Sequence, residues 1–234
     1  LMAIFARHVA ADVAEEIWQQ RREFLADGRP RPQRLFATVL FLDMRGYTSR
    51  AETMEPVELM DWVSGFMETM AEEVASHGGV VDDYFGDGIK ANFGVPVPRS
   101  REEQIDEDAR KAAQAALAMA RALENLNREY RVRGLPECGM RIGIHSGPVV
   151  AGSLGAKGRL KYTVVGEGVI TAQRLESTDA VDHDYDAQPC RILVSEETSE
   201  RLTPDYVTES LEPISLKGRS GLFRVRRLTD GPVK

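Results

Sequence analysis

The stretch VVDDYFGDGIKANFG, residues 80–94, concentrates three acids and one lysine. Gly86-Asp87 is typical of a two-residue turn, so the stretch predicts a β-hairpin. A further acid, Asp43, follows the apolar run LFATVLFL. Two carboxylates, with backbone carbonyl and phosphate oxygens, suit Mg²⁺ or Mn²⁺. Asp43 and Asp87 are therefore candidate metal ligands, and ordinary solvated turn acids are the alternative.

The order of the predicted elements places these acids together. A strand, a helix, the hairpin, a second helix and a further strand form a ferredoxin-like βαββαβ core, which is an α+β fold. In such a sheet the first strand lies beside the hairpin, so Asp43 and Asp87 are expected at one edge. The predicted core elements are strand 35–42, helix 56–77, hairpin 80–94, helix 103–130 and strand 140–145. A C-terminal extension follows, with strand 160–165, helix 168–177, loop 178–189, strand 190–194 and a pair near 213–217 and 222–228.

Residues 1–34 are predicted to be a separate N-terminal segment before a catalytic domain at 35–234. Residues 8–26 have an apolar stripe at helical spacing, and Asp12 with Glu15 resembles a capping box. Arg29-Pro30-Arg31-Pro32 predicts a stiff linker. The helix is either a cap on the domain or a connector from an upstream sensor or membrane segment.

Composition restricts the class of function. The net charge of −7 and the absence of a basic stripe argue against a nucleic-acid partner. Two cysteines are too few for a disulfide framework and indicate a reducing compartment, so we expect a cytoplasmic domain. No run of about 18 apolar residues occurs, so no direct membrane insertion by this chain is expected. A start at Leu1 instead of Met suggests a piece of a longer protein.

Five motifs occur in an order that resembles the catalytic domain of class III adenylate and guanylate cyclases. They are FLDMRGYT, FGDGIKANFG, RIGIHSGPVVAG, YTVVGEGVITAQRLES and SLKGR, and the resemblance covers residues 35–228. The pattern resembles that of bacterial members with Thr in the YTV motif. The resemblance implies a phosphorus–oxygen lyase of signal transduction that converts ATP into 3′,5′-cyclic AMP and pyrophosphate. It also implies a homodimer with active sites at its interface, and relatives often follow sensors anchored in a membrane.

The resemblance assigns roles to residues. Asp43, Asp87 and the carbonyl of Met44 would hold two Mg²⁺ or Mn²⁺ ions per site. From the partner chain, Arg174 would stabilise the pentavalent phosphorus, as expected for phosphoryl transfer by positioning and cation clamps. The partner chain would also supply Lys217 for the triphosphate and Thr163 for the base. The remaining nucleotide-binding candidates come from the residues themselves: the turn of Gly46, Tyr47 and Thr48 offers N–H groups to phosphates, and Asp83 and Lys90 could contact the base.

The hairpin departs from the family pattern. Asp83 stands four residues before Asp87, where the family has its adenine-contacting lysine. A two-residue turn would place Asp83 opposite Lys90, so the lysine would have crossed the hairpin to pair with an acid in its old place. That pair could contact a purine or be a plain surface ion pair. Alternatively, Asp83 accepts hydrogen bonds from guanine, which would make the enzyme a guanylate cyclase acting on GTP. The Thr163 hydroxyl fits either base.

A second departure lies in the helix that carries Arg174. Ile170 stands where the family has an asparagine, and Glu167 replaces an aspartate. An isoleucine cannot hydrogen-bond the ribose, and the loss of such a positioned group costs roughly 3 kcal/mol in the barrier. Weak turnover, or a non-catalytic dimerising signalling domain, is therefore the third functional hypothesis.

Overall fold

The computed structural model describes residues 25–26, 29–30, 32–156, 159–217 and 221–232. The helices in these ranges are α1 Tyr47–Ala51, α2 Pro56–Ser76, α3 Glu102–Val132, α4 Glu167–Ser177 and α5 Glu196–Ser199. The strands are β1 Leu25–Ala26, β2 Arg29–Pro30, β3 Gln33–Arg45, β4 Val80–Phe85, β5 Gly88–Phe93, β6 Gly139–Ala156, β7 Arg159–Val165, β8 Cys190–Ser195, β9 Val207–Ser210, β10 Ile214–Ser215, β11 Leu222–Phe223 and β12 Val225–Asp230.

One large sheet organises the fold, with strand order β4-β5-β3-β6-β8-β12-β9 and β7 paired to β6. β3 is antiparallel to both β5 and β6, whereas β6 and β8 are parallel. The βαββαβ order of the predicted α+β core is therefore confirmed. In the C-terminal extension β10 pairs with β11, while β9, which was not predicted, pairs with β12.

β3 reads as one continuous apolar run because both of its faces are buried. Leu40 and Leu42 point into the main core, where α2 and α3 cover one face of the sheet. Val39 and Phe41 point into a second core, which α4 helps to close on the other face. The strand therefore fixes the position of Asp43, the residue at which burial becomes partial.

Capping sets the start of α2. Pro56 opens the helix, and the Glu55 carboxylate accepts a hydrogen bond of 2.8 Å from the Val57 N–H. The helix ends at Ser76, and His77 is its C-cap. The φ of the following Gly78 is +74°, a conformation that favours glycine. The first strand of the hairpin, β4, begins four residues after the end of α2.

The predicted helix at 8–26 lies outside the described residues, apart from its last two. Leu25 and Ala26 form β1, which pairs with β2 at Arg29–Pro30. Arg29–Pro30, which begin the predicted linker, thus belong to a short hairpin. Among the described residues, no helix has both the length and the apolar character needed to cross a membrane.

Candidate active site

The predicted meeting of acids occurs at the edge shared by β3, β5 and β6. Asp43 lies opposite Gly88 of β5 and opposite Arg141 of β6. Asp87 lies in the hairpin turn, and its carbonyl accepts a hydrogen bond of 3.1 Å from the N–H of Met44. The structure therefore brings Asp43, Met44 and Asp87 together, as the element order predicted.

The electrostatics of this edge fit a divalent cation. Burial raises the pKa of Asp87, and the neighbouring charge of Asp43 raises it further. Two carboxylates that repel each other gain most from a cation placed between them. Across 32–156, 159–217 and 221–232, no three His, Cys, Asp or Glu side chains are grouped so that they could hold a metal. Backbone and substrate oxygens would therefore have to complete the coordination of an ion held by Asp43 and Asp87.

The sequence analysis did not identify Arg141 as a residue of this site. Its guanidinium donates to the Asp43 carboxylate at 2.8 Å and lies 3.1 Å from Glu176 and 3.6 Å from Asp179. A charged residue inside the otherwise apolar strand MRIGI was the available signal, because such a residue needs a buried partner. Arg141 thus orients Asp43 from the neighbouring strand.

Glu176 completes this charge network from α4. Burial raises its pKa to about 7, and Asp43 adds to the rise, while Arg141 and Arg191 oppose it. The Glu176 carboxylate and the Arg141 guanidinium are within ion-pair distance but form no aligned hydrogen bond. Glu176 is therefore only partly compensated when it is charged.

We expect the stability of the fold to decrease as Glu176 ionises. A carboxyl group whose pKa is raised on folding favours the folded state below its unfolded pKa, and this contribution is lost as pH rises through about 7. The free energy of unfolding, measured by urea titration in EDTA between pH 5 and pH 8, should fall more for the wild type than for Glu176→Gln. Equal pH dependence of the two proteins would contradict this assignment.

The turn after Asp43 is built for close approach of its backbone. Gly46 has a φ of +94° and precedes α1, which begins at Tyr47. No side chain caps this helix, so the N–H groups of its first turn, including that of Thr48, have no intrahelical partner. These N–H groups lie on the turn that follows Asp43, where they could bind phosphate oxygens.

The backbone of the hairpin has the predicted register. Asp83 lies opposite Lys90, and Phe85 lies opposite Gly88. The predicted side-chain pair of Asp83 and Lys90 is nevertheless wrong, because the Lys90 ammonium lies 2.5 Å from Asp82. A β-bulge between Val81 and Asp83 explains the change, since it adds Asp82 to the residues that oppose the returning strand.

Lys90 also reaches β7, whose backbone ladder is with β6. Its ammonium donates to the Thr163 hydroxyl at 3.2 Å and to the Val164 carbonyl at 2.7 Å. The structure therefore brings together two predicted base-binding residues, Lys90 and Thr163. It adds Asp82 to them, which sequence reasoning missed.

Asp83 has a different partner. Its carboxylate lies 2.8 Å from the ammonium of Lys161 on β7, and its side chain is 57% exposed. An ion pair this exposed contributes little to stability, about 0 to 1 kcal/mol. Asp83 thus lies on the outer side of the strand, next to the buried cluster but not in it.

Arg174 and Ile170 occupy successive turns of α4, and Ile170 is 44% exposed. The helix lies close to the sheet because Gly143 has no side chain, and a Cβ there would be 2.2 Å from the Glu176 nitrogen. Lys217 follows β10 in an exposed turn. In the described part of the chain, no hydrogen bond or ion pair joins Arg174 or Lys217 to the acidic edge.

Comparison with known proteins agrees with this geometry. The family model for the adenylate and guanylate cyclase catalytic domain matches residues 33–226. An adenylate cyclase of Anabaena cylindrica is 35% identical over 170 residues, which is 71% of this chain and 30% of that protein. The chain thus spans less than a third of the length of this relative.

Two solved structures are also similar. The adenylyl cyclase CyaB from P. aeruginosa has a TM-score of 0.76 and 28% identity, covering 86% of this chain and 97% of the other. The guanylyl cyclase Cya2 has a TM-score of 0.70 and 30% identity, covering 84% and 92%. The chain therefore belongs to the adenylate and guanylate cyclase catalytic domain family.

Proposed function

We propose that this chain converts ATP into 3′,5′-cyclic AMP and pyrophosphate at two sites of a homodimer. The observation that carries the proposal is the convergence of Asp43 and Asp87, joined through the hydrogen bond from the Met44 N–H. Two repelling, partly buried carboxylates at one end of a sheet are suited to metal-assisted chemistry on a triphosphate. The metal, the dimer and the choice of ATP are parts of the same proposal.

Asp43, Asp87 and the carbonyl of Met44 would hold two Mg²⁺ or Mn²⁺ ions, which supply Lewis acidity toward the ribose hydroxyl and the phosphates. Arg141 keeps the Asp43 carboxylate oriented through the 2.8 Å contact. The backbone N–H groups from Gly46 to Thr48 would bind phosphate oxygens.

The cluster of Asp82, Lys90 and Thr163 favours ATP over GTP. The Lys90 ammonium lies 3.2 Å from the hydroxyl of Thr163. Thr163 is the residue that the family pattern would place against the base. Adenine presents a bare N1 acceptor to such a charge, whereas guanine presents an N1–H donor. The Anabaena relative is named an adenylate cyclase, which agrees with this choice. Asp83, the rival guanine-binding residue, is engaged by Lys161.

A second copy of the chain would complete each site. Arg174 and Lys217 of one chain would face the metal edge of the other, where they would stabilise the phosphorus and the triphosphate. Exposed apolar side chains support a partner surface here, since large ones rarely remain uncovered in groups. They include Phe85, Val150 and Val165. An upstream sensor domain in the whole protein would then act by changing how the two chains pair.

The test is cyclic-nucleotide formation by the purified chain in Mn²⁺, run separately with ATP and GTP at several protein concentrations. We expect cyclic AMP, with specific activity rising with protein concentration as dimers form. Cyclic GMP as the main product would replace ATP by GTP in the proposal. No pyrophosphate from either nucleotide would instead favour the non-catalytic signalling domain suggested by Ile170.

A further inference from the structure

We propose that Asp82 is the residue that selects adenine, because it fixes the Thr163 hydroxyl as a hydrogen-bond acceptor. Asp82 acts through Thr163 and is thus a positioning residue. The inference rests on the proposed function, since it concerns how that site chooses between purines. It adds a residue that neither the motifs nor the comparisons assign.

Asp82 is held on several sides. Its side chain is only 4% exposed, and its Oδ2 lies 2.5 Å from the Lys90 ammonium. The same oxygen accepts a hydrogen bond of 2.8 Å from the Thr163 hydroxyl. Its Oδ1 lies 3.7 Å from the ammonium of Lys161. A buried carboxylate with these partners has little freedom to rotate away.

The direction of each hydrogen bond follows from chemistry. A carboxylate only accepts and an ammonium only donates, so Thr163 must donate its single proton to Asp82 and accept from Lys90. A hydroxyl oxygen has two lone pairs, and one of them remains for a ligand. Thr163 can therefore only accept from a base as long as Asp82 keeps its proton.

This polarity separates the two purines. Adenine carries an amino group at C6, which donates, whereas guanine carries an oxygen there, which accepts. An acceptor on Thr163 matches the adenine amino group and opposes the guanine oxygen. A site built for one hydrogen-bond polarity discriminates strongly against the other, because mismatched buried groups lose their partners.

Lys90 cannot easily reverse this preference. All three of its N–H donors have acceptors, namely Asp82, Thr163 and the Val164 carbonyl. Donation to the guanine oxygen would require the ammonium to leave one of them. Lys90 thus contributes charge that favours the bare N1 of adenine, and the proton of Thr163 makes the distinction at C6.

The test replaces Asp82 by Asn, which has the same shape. The amide oxygen takes the position of Oδ2, because Lys90 needs an acceptor there. A neutral amide oxygen holds the Thr163 proton less strongly than a carboxylate does, so the hydroxyl can turn that proton toward a guanine oxygen. We expect the ratio of kcat/KM for ATP to that for GTP to fall about tenfold or more. A ratio within about twofold of the wild type would overturn the proposal.

Two other variants separate selectivity from stability. Asp108 is a matched control, because it is also a buried acid, 2.7 Å from Arg99. Asp108→Asn should lower the melting temperature and leave the ATP/GTP ratio unchanged. Asp83→Asn tests the rival residue, and a shift in the ratio as large as that of Asp82→Asn would overturn the role of Asp82.

A substrate series keeps the test independent of any variant that fails to fold. With the wild type we expect ATP to be best, purine riboside triphosphate to be next, and inosine triphosphate to be worst, since its C6 oxygen faces the Thr163 lone pair. Inosine triphosphate better than the purine nucleotide would overturn the proposal. If the wild type makes no cyclic product, the proposed function fails, and calorimetric Kd values of non-cyclisable ATP and GTP analogues for wild type and Asp82→Asn decide the inference alone.

Discussion

Asp87→Asn is expected to lower kcat at least about a thousandfold, because the neutral amide cannot help to hold the metal charge. The same change should leave the melting temperature in EDTA equal or higher. Burial and the charge of Asp43 both raise the pKa of Asp87, so the ionised carboxylate is unfavourable in the metal-free fold. Activity assays in Mn²⁺ check the loss of kcat, and thermal melts in EDTA check the melting temperature. Retained turnover would contradict the metal assignment, and a large drop in the melting temperature would mean that Asp87 is a structural residue.

Mixing variants tests whether each site is shared between chains. Asp87→Asn and Arg174→Ala should each be nearly inactive alone. An equal mixture should recover about a quarter of the wild-type activity, since half of the dimers are mixed and each mixed dimer has one intact site. The control is an equal mixture of Asp87→Asn with Asp43→Asn, which both damage the metal edge and should stay inactive. Recovery in that control, or none in the first mixture, would contradict a shared site.

The meeting of Asp43 and Asp87 was predictable because it is fixed by the order of the elements. An apolar run buried on both faces must be a central strand, and a two-residue turn fixes the hairpin beside it. Asp43 ends the first and Asp87 lies in the second, so the order of elements determines their meeting. The two-residue turn also predicts the backbone register, and Asp83 is indeed opposite Lys90.

The side-chain contacts between the hairpin and β7 could not be predicted in the same way. The bulge that brings Asp82 to Lys90 inserts one residue between Val81 and Asp83, and no sequence signal marks it. The described contacts of β7 with the hairpin are made by hairpin side chains that lie far from β7 in the sequence, and such contacts leave no local period. The pairs Asp82 with Lys90 and Asp83 with Lys161 depend on both features.

Ile170 occupies the position at which the family pattern has an asparagine. It is 44% exposed on α4, one turn before Arg174, so the core does not require an apolar residue there. A partly exposed isoleucine next to a candidate catalytic arginine is compatible with two situations. Either it packs against a partner chain in place of the usual hydrogen bond, or it leaves the reacting ribose without an orienting group.

Ile170→Asn distinguishes these two situations. If the site lacks only a group that orients the ribose, the amide should raise kcat about 10- to 100-fold with little change in KM, since such a group acts mainly in the transition state. Ile170→Ala is the matched control, because it removes the same apolar surface and adds no hydrogen bond. Both variants should keep the wild-type fold by circular dichroism, as the side chain is half exposed. A fall in activity for both, with weaker self-association by analytical ultracentrifugation, would show instead that Ile170 is needed for pairing of the chains.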